Sequence, residues 1–194
     1  MKKSIFLAPL FLLAACGPTI NEGAAITLEQ LLENPLYAEQ YYDLLLERMV
    51  ELEIQKDPIL EEGSKKSLVE DVRRDALAKA REATAKQREG FMGVFVPAKE
   101  QAHGEALYVD DTLYLGPSFD SPPGPDLRVY LSTLVDPRDG EFPDEQSLDL
   151  GRLESPFGTQ RFSVKPTDSP ELYRTAVLYD ADLDRMYSFA QLSQ

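Results

Sequence analysis

The side chains here that could do chemistry are few, and their spacing narrows what that chemistry is. There is one cysteine, Cys16, and one histidine, His103. A lone imidazole makes a zinc site only with several carboxylates beside it. Any nucleophilic triad would have to use that same histidine. Serines occur, but no G-x-S-x-G elbow, no P-loop and no G-x-G-x-x-G is present. The pattern predicts a protein without catalytic activity and without a bound cofactor. His103 with Met92 or Met186 has the ligand types for haem, but its place before Gly104 reads as a surface turn. The densest set of ligating side chains is Asp180, Asp182 and Asp184, spaced D-x-D-x-D. On a strand they would share a face; in a loop they can converge, and repulsion then calls for water or a cation. An EF-hand loop needs glycine next and a glutamate at its end, where Arg185 and Gln191 stand. The cluster reads as a solvated acidic turn, with calcium ligation as the alternative.

Cys16 is different, because its neighbours are informative. Lys2 and Lys3 precede a short apolar run, Ile5 to Ala15, that ends in small residues. A bilayer span takes roughly 20 residues, so this run reads as the core of a secretory signal over residues 1–15. Leu13-Ala14-Ala15-Cys16 resembles the lipobox of bacterial lipoproteins. The resemblance implies cleavage before Cys16 and fatty-acyl chains, palmitate among them, on that residue. Each buried methylene contributes about 0.8 kcal/mol, so one chain holds marginally and two or three hold firmly. Gly17 stands where inner-membrane lipoproteins carry aspartate. That favours the periplasmic face of an outer membrane if the organism is Gram-negative. Acylation would consume the only thiol, excluding disulfides, CxxC chemistry and thiolate-bound zinc. Residues 16–26, with Gly17, Pro18, Asn21 and Gly23, read as a lipidated tether.

Charge limits the partners. Loss of Lys2 and Lys3 with the signal takes the formal charge from −14 to about −16. Such a surface repels phosphate backbones, so nucleic acid is excluded. The expected contacts are the membrane, through the lipid, and an envelope protein or glycan.

The elements that position these residues fall into two stretches. Residues 27–90 read as a helical hairpin. Thr27 and Gln30 form a capping-box pattern, and Asn34-Pro35 pairs an N-cap with a proline at the first helical position. Asp57-Pro58 interrupts the first long helix. A second one, opening at Ser64, carries a narrow stripe of Leu68, Val72, Ala76, Ala80 and Ala83. Residues 91–194 read as an antiparallel β-sandwich, giving an α+β chain. Short β-rich runs at 94–96, 105–109, 112–115, 127–131, 160–164 and 175–179 are separated by Gly, Pro and Asp. Asp110-Asp111 and Asp139-Gly140 read as turns, and residues 136–145 as an acidic hairpin connection. The many tyrosines are packing residues first, with a peptide or glycan groove as a second role.

Gly124-Pro125-Asp126-Leu127-Arg128-Val129-Tyr130-Leu131-Ser132 resembles the hallmark of the DM13 domain, an extracytoplasmic β module. Gly93-Val94-Phe95, Gly104-Glu105-Ala106 and Leu113-Tyr114-Leu115 with Phe119 resemble the strands before it. Leu150-Gly151-Arg152-Leu153 and Gly158-Thr159-Gln160-Arg161-Phe162 resemble its central hairpin, and Val177-Leu178-Tyr179 and Phe189-Ala190-Gln191-Leu192 its last strands. The resemblance covers about residues 91–192 and implies the family's β fold. The family has been proposed to take part in electron transfer around a cysteine in the penultimate strand. Asp180 stands at that position, and a carboxylate forms neither sulfenate nor disulfide. The resemblance therefore implies a binding or structural role at the envelope more than a redox one. Asp126 is expected to be a buried structural aspartate that holds the turn after Pro125 by bonding backbone amides.

Overall fold

A computed structural model describes residues 26–194 of the chain. The signal segment, Cys16 and the tether up to residue 25 lie outside the described residues.

Helix α1 (Leu28–Leu32) opens with the expected capping box. Thr27 Oγ1 accepts from the Gln30 amide at 3.3 Å, and Gln30 Oε1 accepts from the Thr27 amide at 2.9 Å. Asn34 caps α2 (Pro35–Ile54) by accepting from the Leu36 amide at 3.0 Å. A 3-10 turn (Pro58–Glu61), capped by Asp57, leads into α3 (Gly63–Glu89), which starts one residue before Ser64. The buried stripe of α3 is Val69, Ala76, Ala80 and Ala83, whereas Leu68 is 56% exposed. At roughly 100° per residue, 69, 76, 80 and 83 share a face that position 68 misses. The alanines bring α2 and α3 together, and polar contacts complete the seam. Thr84 donates to Glu39 at 2.7 Å, and Gln87 donates to Glu39 at 2.8 Å and to the Pro35 carbonyl at 3.0 Å.

Eight strands follow among the described residues: β1 (Phe91–Pro97), β2 (Glu105–Val109), β3 (Thr112–Leu115), β4 (Leu127–Ser132), β5 (Leu148–Arg152), β6 (Gln160–Ser163), β7 (Thr175–Asp180) and β8 (Arg185–Gln191). They form one antiparallel sheet in the order β5-β4-β7-β8-β1-β2-β3-β6, so the chain is α+β with an antiparallel β part. β1 is the joint of this sheet. Its first half pairs with β2 and its second half with β8. Asp110 and Asp111, with φ of 48° and 51°, make the tight β2–β3 turn.

The expected central hairpin is corrected. β5 pairs with β4 and β6 with β3, at opposite edges of the sheet. The Gln160 side chain explains the return path. It accepts from the Glu154 and Ser155 amides at 2.9 and 3.2 Å and donates to the Ser155 carbonyl at 2.7 Å, pinning the connection beside β6.

Alternation sorts the side chains of the central strands. Leu127, Val129 and Leu131 of β4 and Ala176 and Leu178 of β7 enter the main core with Phe95, Leu113, Phe119 and Phe162. Tyr130, Val177, Tyr179 and Phe189 face outward, yet they too are buried. The connection from residue 133 to 147 lies over them, so all six residues of β7 are buried. The helical hairpin docks elsewhere. Leu36 packs on Leu107 and Val109, and the Asn34 side-chain Nδ2 donates to the Leu115 carbonyl at 2.8 Å.

Candidate functional site

Residues 124–127 and the β7–β8 turn enclose one another. Asp180 is fully buried at the end of β7. Its Oδ1 accepts from the Asp182 and Leu183 amides at 3.1 and 3.0 Å and so fixes the turn. Its Oδ2 is buried without a hydrogen-bond partner. That oxygen faces Gly124, where an added Cβ would lie 2.2 Å from it and 2.8 Å from the Tyr187 hydroxyl. Burial and then the charge of Asp180 push the Tyr187 phenol up. Leu127 stands opposite Asp180 in the β4–β7 ladder, and the Ala181 amide donates to the Asp126 carbonyl at 3.0 Å. Pro125 is tied in through its carbonyl, which accepts from Arg152.

The expected role of Asp126 is corrected. Its carboxylate is only half-buried and pairs with Arg152 at 3.1 Å and Arg128 at 3.6 Å. Arginines on β4 and β5 flank it, so its side chain meets guanidinium groups and its backbone carbonyl holds the turn.

The D-x-D-x-D carboxylates separate. Asp180 turns inward, Asp182 is exposed, and Asp184, at φ 47°, accepts from the Tyr179 hydroxyl. Among the described residues no three His, Cys, Asp or Glu side chains group as metal ligands. His103 is exposed, and its backbone bridges to Asp120.

Tyr130 belongs to the opposite face of the sheet. Its ring meets Phe142 at 5.6 Å and Tyr179 at 6.0 Å, and Phe142 meets Tyr179 at 5.4 Å, all edge to face. Arg138 lies over the Phe189 ring at 4.9 Å and is held by Asp136 at 2.5 Å. Beside this cluster a cavity of about 290 Å³ opens, lined by Ala98, Lys99, Pro137, Arg138, Phe142, Tyr179, Asp184 and Met186, with Gly140. Phe142, Arg138 and Met186 were not legible as partners from spacing. The signal that could have shown them is Thr175–Tyr179, which lacks the polar alternation of a strand with one wet face.

Burial, and then the hydrogen bond to Asp184, push the Tyr179 phenol up to about 12 from 10.0. A folded value above the unfolded one means that folding favours the neutral phenol. The stability it contributes is fully present below pH 10 and is lost as pH rises toward about 12. Tyr179→Phe should therefore flatten the fall of melting temperature across that window. Equal slopes in variant and wild type would show that the phenol is not coupled to folding.

No family model, no curated protein and no solved structure matches this chain.

Proposed function

We propose that this is a lipid-anchored protein of the cell envelope whose β part, residues 91–194, is a DM13-like binding or structural module without catalytic activity. The finer fold we assign is a sandwich. β6-β3-β2-β1 forms one half, β1-β8-β7-β4-β5 the other, and β1 is shared. The reading rests on one juxtaposition. Leu13-Ala14-Ala15-Cys16 precedes a folded part in which no helix, among the described residues, is long and apolar enough to cross a membrane. Attachment then falls to lipid on Cys16, and the acidic module faces water. The use of Asp180 as a turn cap supports a recognition role over thiol chemistry at that position.

Fractionation of cells grown with an alkyne analogue of palmitate tests the anchor. The wild-type chain should carry label and sediment with membranes. Cys16→Ser should lose the label and leave the membrane fraction almost completely. Persistence of Cys16→Ser in washed membranes would sink the lipoprotein reading.

A further inference from the structure

The cavity over the outer face of β7 and β8 has the chemistry of a binding site. Its volume of about 290 Å³ lies at the small end of ligand pockets and suits a ring-sized group. Pro137, Phe142, Tyr179 and Met186 supply an apolar, largely aromatic lining. The strands beneath it are paired on both sides within the sheet, so they offer no free edge for an extended peptide to join. The polar groups are of both kinds. Asp184 accepts from the Tyr179 hydroxyl and keeps further acceptor positions. Lys99 is exposed and forms no ion pair among the described residues, whereas Arg138 is held by Asp136. With Arg138 paired to Asp136, Lys99 is the cation of the cleft left to meet an anionic group, and Asp184 stands beside it as an acceptor.

From this arrangement we infer that the cleft binds one saccharide ring bearing a carboxylate, with ring C–H groups against Phe142 and Tyr179, hydroxyls on Asp184 and the carboxylate on Lys99. The inference rests on the binding-module reading and gives that module its site. Pre-organisation supports it. Tyr179 orients Asp184, and the aromatic rings brace one another edge to face, so these side chains lose little freedom on binding.

Calorimetric titration of the full chain in detergent micelles tests it, with three probes: a glucuronate oligomer, an uncharged glucose oligomer of equal length and a phenylalanine-rich peptide. The glucuronate oligomer should bind about tenfold more tightly than the neutral one, and Lys99→Gln should remove that difference. Lys99 is exposed, so this variant should keep the wild-type melting temperature. Phe142→Ala should weaken both saccharides. Equal affinity for the two saccharides, unchanged glucuronate binding by Lys99→Gln, tighter binding of the peptide, or no heat with any probe would each overturn the inference. Labelling and fractionation with Cys16→Ser are read separately, so failure at the cleft and failure of the anchor are distinguishable.

Discussion

Gly93→Ala is expected to destabilise the protein by about 3 kcal/mol or more, lowering its melting temperature by roughly 6–12 °C. An alanine Cβ at this position would lie 2.1 Å from the Gln191 carbonyl oxygen and 2.7 Å from its carbon. Those are backbone atoms at the end of β8, which no rotamer change can move. The strand cannot retreat either. Its first half is laddered to β2 and its second to β8, and Met92 exchanges two 2.9 Å backbone hydrogen bonds with Ser193. Relief of the clash must open the joint between the two halves of the sheet. Val94→Ala, at a neighbouring side chain that is 59% exposed, is the control and should change stability by less than about 0.5 kcal/mol. Denaturant titration of the pair checks the prediction. A Gly93→Ala midpoint equal to that of Val94→Ala would show that β1 tolerates a side chain where it changes partner.

Gly124→Ala should cost about 2–3 kcal/mol for a related but separable reason. Here the new methyl meets side chains: Asp180 Oδ2 at 2.2 Å, the Tyr187 hydroxyl at 2.8 Å and Leu127 Cγ at 3.0 Å. Asp180 cannot swing aside without releasing the Asp182 and Leu183 amides that its other oxygen holds. Removal of the obstructing carboxylate should therefore partly rescue the glycine variant. Asp180→Ala alone loses the turn cap at a cost of about 1–2 kcal/mol. The double variant should be more stable than the sum of the singles by about 1 kcal/mol or more. Strict additivity in that cycle would mean that the glycine and the carboxylate do not oppose each other. The absence of a side chain at Gly124 is thus explained by Asp180: the backbone comes close there, and the carboxylate fills the space beneath it.

Much of the local structure was legible because local physics decides it. Thr27 with Gln30 and Asn34 with Pro35 announce helix starts through groups that bond within three residues. β2 and β3 follow from two β-rich runs bounded by Asp110 and Asp111. β5 was harder to read from pattern. Leu148-Asp149-Leu150-Gly151-Arg152 is a half-exposed edge strand with a glycine, so its alternation is weak. The hairpin that the DM13 resemblance implies over residues 150–162 does not form, because β5 pairs with β4 and β6 with β3. Here a side chain, Gln160, holds the connection across the two edges of the sheet.

The candidate site divides along the same line. Composition and charge follow from residue counts, and the lone Cys16 and the tight Asp110-Asp111 turn from short segments, so they are legible without the fold. The sequence also singled out Asp180, the first carboxylate of the D-x-D-x-D run. What Asp180 does depends on long-range packing, because the groups that enclose it come from Gly124 before β4, Leu127 on β4 and Tyr187 on β8. The fold likewise separates Tyr130 from Val129 and Leu131, since alternation sends neighbouring side chains of β4 to opposite faces of the sheet. The aromatic cleft exists only because the connection after β4 folds back over β7 and β8. That choice belongs to long-range packing: Arg138 meets Phe189 and Phe142 meets Tyr179 at sequence separations over which no periodicity carries information.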